Sequence, residues 1–248
     1  MHKDLNDLLI DEFLQTEFQR LHLAFPQARA LDIGCGDLRH AKYLTSDGWV
    51  VIYSDHEERA DGVDVLLDAH YLPFPNECFD IILMTEVLEH LHHPQLALKE
   101  ISRILKPNGS LVITFPFLWH IHEIPFDFFR FTEYGFSVLA SDAGLRIERF
   151  KRRGDSFALL LSLIDMKIMG VIHLLSKKKH LKLLSIALRS VASFFAGAIY
   201  WMYLRVSNKS NALVNLSPGD NLNGPIGKLR LWHLGYNIIC KKSQSICT

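Results

Sequence analysis

The sequence is poor in cysteine and carries no net charge. Its four cysteines, Cys35, Cys78, Cys240 and Cys247, form no CxxC pair, which favours a reduced, cytosolic protein over a disulfide scaffold. Basic and acidic residues each number 27, so nothing indicates a general affinity for nucleic acid. The first residues lack the apolar core of a signal peptide, and we find no repeat. A length of 248 residues, 49% of them hydrophobic, is enough for one large domain or for a domain with an insertion.

The chain is organised around residues 31–40, which read LDIGCGDLRH. Ala28–Ile33 is short, mostly apolar and ends at Gly34, as a buried parallel strand ends. Asp37 is predicted to cap a helix, because apolar residues recur at helical spacing behind it. Gly34 and Gly36 let the backbone turn tightly and let a ligand approach the main chain. The pattern therefore predicts a strand, a glycine turn and a helix, the arrangement that binds nucleotide-type cofactors.

Two classes of cofactor bind at such a turn. A dinucleotide requires a third glycine in the pattern GxGxxG, and Arg39 stands at that position. An acidic residue before the first glycine, here Asp32, suits a cation instead. S-adenosylmethionine carries an amino group and a sulfonium but no phosphate. The stretch resembles the first motif of class I S-adenosylmethionine-dependent methyltransferases. This resemblance implies S-adenosylmethionine as the cofactor, bound in part by Asp32, Gly34, Cys35 and Gly36.

Three further elements follow in the order and spacing of that family. Asp55 ends a second predicted strand, 23 residues after Asp32, where a carboxylate can accept both ribose hydroxyls of an adenosine. The alternative is a solvated aspartate in an acidic loop. The pair Asp68 and Ala69 resembles the element that meets the adenine amino group. The segment that begins at Thr85 resembles the loop beneath the cofactor, and Thr85 is assigned to the cofactor site.

Three histidines, His90, His92 and His93, invite interpretation as a metal site. They precede a helix predicted to begin at Pro94, and we find no carboxylate or cysteine at ligand spacing. We interpret them as caps or loop residues and predict no metal ligand in the chain.

The loop after the fifth predicted strand, residues 115–132, is rich in aromatic and ionisable side chains. In an open α/β sheet this loop lies beside the cofactor, and an apolar surface with a few polar groups suits a small-molecule acceptor. A hydroxyl acceptor must lose a proton, for which histidine is the natural base near neutral pH. The predicted catalytic residues are His120 and His122 as bases, Glu123 and Asp127 as orienting groups, and Arg130 for an acceptor phosphate or carboxylate. Two alternatives stay open: that these groups only tie the loop to the core, and that the two histidines bind a metal.

The amino-acid sequence of this loop resembles that of a methyltransferase subgroup linked with surface polysaccharide, glycan or lipid-linked sugar biosynthesis. The family resemblance implies an α/β, Rossmann-like fold with a seven-stranded, mostly parallel sheet and helices on both faces. The expected function is O-methylation of a sugar or glycan precursor, either small or lipid-linked. A quinone or lipid methyltransferase is one alternative. A non-catalytic S-adenosylmethionine-binding partner of a membrane-associated complex is another, and a dinucleotide oxidoreductase is disfavoured.

A long apolar insertion departs from the family pattern. Residues 1–154 and 233–248 are predicted to form the methyltransferase domain, and residues 155–232 a helical insertion before the last strand. Two apolar stretches within residues 157–206 fit helices in the plane of a membrane better than spanning helices, because the lysine-rich connection would otherwise lie on the far side. A cap on the domain and a dimer arm are the alternatives. The expected localisation is cytoplasmic, peripheral to the inner face of a membrane in the first interpretation.

Overall fold

A seven-stranded sheet forms the centre of the protein. The computed structural model describes residues 4–45, 47–177, 182–211 and 233–243. The strands are β1 (Ala28–Ile33), β2 (Trp49–Asp55), β3 (Val65–Leu66), β4 (Phe79–Thr85), β5 (Leu105–Pro116), β6 (Leu145–Arg153) and β7 (Gly235–Lys242). Their order across the sheet is β3-β2-β1-β4-β5-β7-β6. All neighbours pair in parallel except β7, which is antiparallel to both β5 and β6. The predicted mostly parallel, Rossmann-like sheet is confirmed.

Six α-helices accompany the strands in the described part of the chain. They are α1 (Leu5–Ala24), α2 (Ala41–Leu44), α3 (Pro94–Ile104), α4 (Glu133–Asp142), α5 (Ser156–Ser176) and α6 (Lys182–Asn211), with a short 3₁₀ turn at Leu88–His90. The chain divides into two compact units. Ile10–Arg153 with Gly235–Thr248 contains the sheet and is called the sheet unit below. Met1–Leu9 with Gly154–Leu234 contains α5 and α6 and is called the hairpin unit.

Both faces of the sheet are covered by apolar side chains. On β1, Leu31 and Ile33 belong to one buried cluster, which also contains residues of α3 and α4. Ala28 and Ala30 belong to a second cluster, formed with residues of α1. A parallel strand buried on both faces reads as a continuous apolar run, which is why β1 was predictable from the sequence. The carboxyl ends of β1, β2 and β4 therefore meet at one edge between two layers of helix.

The helix predicted to begin at Asp37 begins only at Ala41. Leu38 adopts the left-handed conformation with φ +59°, so the backbone continues as a turn after the glycines. The Asp37 carboxylate pairs with Arg39 Nε at 3.1 Å, and no side chain caps α2. The interpretation of Asp37 as a helix cap was therefore wrong.

The described part of the insertion before β7 is helical, as predicted. Asp155 caps α5, since its carboxylate accepts hydrogen bonds from the amides of Phe157 at 3.0 Å and Ala158 at 2.9 Å. Helix α5 has 21 residues and packs against α6, which has 30. Ser156–Ser176 and Leu184–Tyr203 are both long and apolar enough to cross a membrane.

Candidate functional site

A glycine turn follows β1 and is hydrogen-bonded to the end of β2. Gly34 has φ +73°, and a side chain there would meet Val87 Cγ2 at 2.3 Å, so only glycine fits. Its amide donates to the carbonyl of Ser54 at 2.8 Å. The amide of Gly36, φ +56°, donates to Asp55 Oδ2 at 2.8 Å. The turn is thus fixed by the tip of β2 from one side and lies under Val87 on the other.

Asp55 presents a fixed carboxylate beside this turn. The residue is 4% exposed, and its Oδ1 accepts from the amide of His56 at 2.7 Å. The ring nitrogen Nδ1 of His56 lies 2.9 Å from the same oxygen. This geometry is compatible with the predicted contact to ribose hydroxyls, which stays a prediction.

Asp32 carries a buried carboxylate that lacks a full set of partners. It is 1% exposed, and its Oδ1 has no hydrogen-bond partner among the described residues. Burial, with a smaller contribution from the charge of Asp55, raises the pKa of Asp32 to about 7. A buried acceptor atom of this kind favours a cation, so the site fits a ligand that brings positive charge.

The other predicted cofactor residues occupy varied environments. Asp68 is exposed, and its Oδ1 accepts from the amide of His70 at 2.9 Å and lies 2.5 Å from His70 Nδ1. Ala69 and Thr85 are buried. Burial raises the pKa of the Cys35 thiol to about 12, so it stays a thiol at neutral pH. An adenine amino group at Asp68 would compete with His70 for the same carboxylate.

Asp127 and Arg130 fix the loop that follows β5. The guanidinium of Arg130 donates to both carboxylate oxygens of Asp127, at 2.5 and 2.8 Å, and to the carbonyl of His120 at 3.2 Å. The amide of His122 donates to Asp127 Oδ2 at 3.0 Å. The Arg130 hydrogen bonds hold the pKa of Asp127 well below its usual range. In this structure Arg130 is engaged within the loop, and the predicted acceptor contact would need one of its donors.

The two histidines predicted as bases differ in position. His122 Nδ1 lies 3.2 Å from Asp127 Oδ2, and its Nε2 lies 3.9 Å from Glu89 Oε1. His120 is exposed, with its ring 5.0 Å from that of Trp119. His122 thus has a carboxylate beside each ring nitrogen: Asp127 can orient the ring through Nδ1, and Glu89 lies beside Nε2.

An ionic bridge joins this loop to the cofactor turn. Glu123 has φ +49°, and its Oε1 accepts from Arg59 Nη1 at 3.2 Å. Arg59 Nε lies 3.9 Å from Asp55 Oδ1. A left-handed backbone conformation costs free energy for residues other than glycine. Such residues are therefore concentrated at functional sites, where the surrounding contacts hold the backbone in place. Arg59, which sequence reasoning did not single out, links the predicted ribose carboxylate to the predicted acceptor loop.

A partly buried ion pair between Arg153 and Glu86 supports the loop after β4, which carries Val87. Arg153 is 1% exposed, and its Nη1 and Nη2 each donate to a carboxylate oxygen of Glu86 at 3.0 Å. Glu86 has φ +52°, and Thr114 Oγ1 donates to its Oε1 at 2.8 Å. Sequence reasoning missed this pair, because 67 residues separate its members and neither carries a local signal.

Glu89 is a second residue that sequence reasoning missed. It is fully buried, and neither carboxylate oxygen has a hydrogen-bond partner among the described residues. Burial, and then the charge of Glu86, raises the pKa of Glu89 well above its ordinary value. A buried ionisable side chain therefore lies beside His122, two residues after the Val87 that contacts the glycine turn.

Comparison with known proteins finds a family that matches part of the sheet unit. Residues 31–113, one third of the chain, match the model of a family described as "Methyltransferase domain". That segment contains the glycine turn, Asp55 and the loop at the end of β4. The chain contains a class I S-adenosylmethionine-dependent methyltransferase domain. S-adenosylmethionine is accordingly the cofactor of this domain. Asp32 Oδ1, which has no hydrogen-bond partner in the described part of the chain, fits the positive charge that this cofactor carries.

Curated relatives of the methyltransferase domain match it only in part. An uncharacterized protein of Methanocaldococcus jannaschii is 32% identical over 102 residues, 40% of this chain and 50% of that protein. A ubiquinone/menaquinone biosynthesis C-methyltransferase of Burkholderia vietnamiensis is 33% identical over 103 residues, 41% of this chain and 39% of that protein. The chain spans half or less of the length of these two relatives.

Solved structures show the same fold over nearly the whole chain. A protein from Galdieria sulphuraria, provisionally described as a sarcosine dimethylglycine methyltransferase, has a TM-score of 0.59 at 15% identity, covering 97% of this chain and 86% of that one. The cyclase SpnF has a TM-score of 0.52 at 16% identity, covering 92% and 80%. Because identity is low and one of the two is named for a different reaction, these structures establish the fold alone.

Replacing Asp32 with asparagine should stabilise the methyltransferase domain at pH 8 and weaken its affinity for S-adenosylhomocysteine about tenfold. The pKa of Asp32 is about 7 in the folded protein against 3.8 ordinarily, so the unfolded chain loses this proton first as the pH rises. Asp32 therefore opposes folding increasingly between about pH 4 and 7, and to a constant extent above pH 7, by about 4 kcal/mol.

Chemical denaturation at pH 5 and pH 8, together with calorimetric titration, checks this prediction. The stability gain should be larger at pH 8 than at pH 5. Asp61→Asn, at an exposed position, is the matched control and should change neither quantity. A variant less stable than the wild type at pH 8 would contradict the interpretation of Asp32 as a buried carboxylate whose raised pKa opposes folding.

Proposed function

We propose that this protein transfers the methyl group of S-adenosylmethionine to a hydroxyl of a small or lipid-linked acceptor, a sugar or glycan precursor being the preferred class. The observation that supports this proposal is the convergence of two loops above the glycine turn. The loop after β4 lies over Gly34 through Val87. The loop after β5 brings His122 beside Glu89 and is tied by Glu123 to Arg59. Acidic, basic and aromatic groups thus meet where an acceptor has to approach the methyl group.

Different residues bind the cofactor, accept the proton and contact the acceptor in this proposal. S-adenosylmethionine supplies an already activated methyl group, so the protein mainly has to align the acceptor. In this proposal Asp55 binds the ribose and Asp32 offsets the positive charge of the cofactor. The acceptor hydroxyl gives up its proton to the neighbouring side chains of Glu89 and His122. Exposed aromatic rings of the loop, such as Phe126 and Phe129, supply apolar surface for the acceptor.

Replacing His122 with alanine should lower kcat by about 10²- to 10⁴-fold, the range of general acid–base catalysis. The dissociation constant of S-adenosylhomocysteine should stay within about twofold, because His122 lies on the acceptor side. Transfer of labelled methyl groups and calorimetric titration measure the two quantities. His92→Ala is the control, since His92 is exposed and its ring lies 4.0 Å from that of Phe128, outside the pair of Glu89 and His122. Unchanged turnover would remove His122 from the reaction, and cofactor binding without turnover on any acceptor would favour a non-catalytic binding partner.

A prenylated quinone precursor is the second candidate acceptor. The Burkholderia relative is named as a ubiquinone/menaquinone biosynthesis C-methyltransferase, and an apolar hairpin suits a substrate that resides in lipid. Assays with lipid-linked sugars and with prenylated phenols, run side by side at equal concentration, separate the candidates. Activity confined to the phenols would replace the sugar proposal.

We also infer that the hairpin unit binds a lipid bilayer. Large apolar side chains of α5 are exposed at helical spacing, at Phe157, Leu160, Ile164, Ile168, Val171 and Leu174. The buried positions of α5 are instead mostly small or polar, at Ala158, Ser162, Asp165 and Ile172. A soluble helix shows the reverse distribution, whereas small and polar residues face inward between helices in lipid. In the last part of α6, the Arg205 guanidinium lies 3.8 Å from the Trp201 ring centre, and aromatic and basic residues are typical of the membrane–water interface.

The double variant Leu160→Glu, Ile164→Glu should bind neutral phospholipid vesicles at least about 100-fold more weakly than the wild type. Each exposed apolar side chain contributes about 1.5–3 kcal/mol when lipid buries it. Vesicle flotation measures the binding. High salt in the assay screens the electrostatic attraction between the protein and the lipid headgroups. Val138→Glu, which changes an exposed apolar residue of the sheet unit, is the control and should float like the wild type. Equal flotation of the double variant, or a stable dimer without vesicle binding, would contradict the bilayer as partner.

A further inference from the structure

Glu89, His90 and His122 each bring an atom with a free lone pair to one place beside the loop that follows β5. Glu89 Oε1 lies 3.6 Å from His90 Nε2 and 3.9 Å from His122 Nε2. One ligand atom from each residue lies within 4.8 Å of the other two. Glu89 is fully buried, and its carboxylate accepts no hydrogen bond from the described residues. A buried carboxylate with this surrounding needs a positive charge to stabilise it.

The tautomers of the two histidines follow from their other contacts. His90 Nδ1 lies 2.7 Å from the carbonyl oxygen of Phe126. His122 Nδ1 lies 3.2 Å from both Asp127 Oδ2 and the carbonyl oxygen of His120. These partners only accept hydrogen bonds, so each Nδ1 carries the proton and each Nε2 presents its lone pair. Neither neutral ring can therefore donate a hydrogen bond to Glu89.

We propose that Glu89, His90 and His122 bind a divalent first-row transition metal ion of the Zn²⁺ type. Two imidazoles and one carboxylate are a ligand set that binds zinc and leaves a coordination position open. Metal–ligand bonds of about 2.0–2.1 Å place tetrahedral ligand atoms about 3.3 Å apart, so the present spacing, up to 4.8 Å, has to contract by up to about 1.5 Å. The His90 and His122 side chains are 15% and 24% exposed, which gives an ion access to the site.

Surrounding groups already orient the proposed ligands. Metal-binding histidines usually donate their second N–H to a carboxylate or a backbone carbonyl, as the Nδ1 atoms do here. The nearby guanidiniums of Arg130 and Arg153 are each paired in bidentate fashion, with Asp127 and Glu86 respectively. Neither guanidinium hydrogen-bonds to Glu89, whose carboxylate stays available.

A second histidine group in the sheet unit lacks these properties. His70 and His93 have ring centres 6.0 Å apart, and Asp68 pairs with His70. His70 Nε2, however, accepts a hydrogen bond from the amide of His93 at 3.2 Å. With its lone pair already used, this group offers no comparable ligand set.

A bound ion would lower the pKa of an acceptor hydroxyl that coordinates to it, so that the hydroxyl could lose its proton to water. Glu89 and His122 would then act as ligands of the ion, in place of the proton-accepting role proposed above. This use rests on the proposed methyl transfer, whereas binding of the ion does not. The test therefore measures binding first and activity second. A failure of metal binding would leave methyl transfer intact, and a failure of methyl transfer would leave the metal site measurable.

Metal-free protein without a polyhistidine tag should bind one Zn²⁺ per chain in calorimetric titration. Co²⁺ should bind with the visible absorption of a four-coordinate site. His122→Ala and His90→Ala should each weaken binding at least tenfold, because even loss of an outer-shell partner costs 10–100-fold. Glu89→Gln should do the same, and Mg²⁺ should not compete, because it prefers oxygen ligands.

Two controls keep the result interpretable. His92→Ala removes a nearby histidine outside the proposed ligand set and should bind Zn²⁺ like the wild type. Binding of S-adenosylhomocysteine by every variant shows that the cofactor site has folded. No Zn²⁺ binding by well-folded wild type, or equal affinity of the wild type and the His122→Ala and His90→Ala variants, overturns the proposal.

Discussion

Replacing Asp55 with alanine should lower the affinity for S-adenosylhomocysteine about 100-fold or more. Hydrogen bonds to a charged acceptor contribute about 1.5–3 kcal/mol each, and the proposed contact involves two ribose hydroxyls. The same carboxylate accepts from the Gly36 amide at 2.8 Å, so its loss also frees the glycine turn to change shape. Both effects weaken binding, and calorimetric titration of purified protein measures the sum.

The control for this variant is Asp61→Ala, which removes the same charge from an exposed position in the loop that follows β2. It should bind S-adenosylhomocysteine with wild-type affinity. Circular dichroism has to show that the Asp55 variant retains its fold. A well-folded Asp55→Ala protein that binds the cofactor product normally would exclude Asp55 from the cofactor site and restore the interpretation of a structural aspartate.

Replacing Arg153 with alanine should destabilise the sheet unit by about 3 kcal/mol. Removal of one partner from a buried ion pair costs about 3–5 kcal/mol, and the lower end applies because Glu86 is partly exposed. The change also leaves the Oδ1 atom of Asn237, 3.2 Å from Arg153 Nη1, without that donor. Hydrogen exchange in β5 and β7 should accelerate about 100-fold, since core strands exchange through the largest opening reactions.

Two further variants separate the pair from the general effect of losing an arginine. Arg146→Ala, on the exposed side of the same strand β6, should leave exchange in β5 and β7 unchanged. Adding Glu86→Gln to Arg153→Ala should restore part of the stability, because it removes the charge left without a partner. Additive destabilisation by the two changes would show that the residues stabilise the sheet independently.

The fold was predictable because its signals are local. Ala28–Ile33 is an apolar run that ends at a glycine, and a strand buried on both faces needs little else. Pro94 at the first turn of α3 is an equally local marker, and the structure places it where the sequence indicates. The exception at Asp37 has a local cause too, since the left-handed conformation of Leu38 is not favoured by its side chain.

The arrangement around Glu89 was not predictable from one sequence. It depends on left-handed backbone at Glu86 and Glu123, which residue type does not signal. It also brings His122 beside a glutamate 33 positions earlier, and loops carry no periodicity from which such a contact can be inferred. The three histidines after Glu89 invited a metal interpretation by themselves, yet only His90 belongs to the group that the fold assembles.

The place of β7 in the sheet has a consequence for biosynthesis. This strand lies between β5 and β6, and β6 has no other strand neighbour in the described sheet. Residues 154–234 emerge from the ribosome before β7 does, so the sheet stays incomplete while the two long helices are already made. Strand pairing over such sequence distances is slow, and β5 and β6 expose unpaired edges in the interval. We therefore expect a nascent chain halted before Gly235 to contain both long helices while its sheet is still open and depends on chaperones.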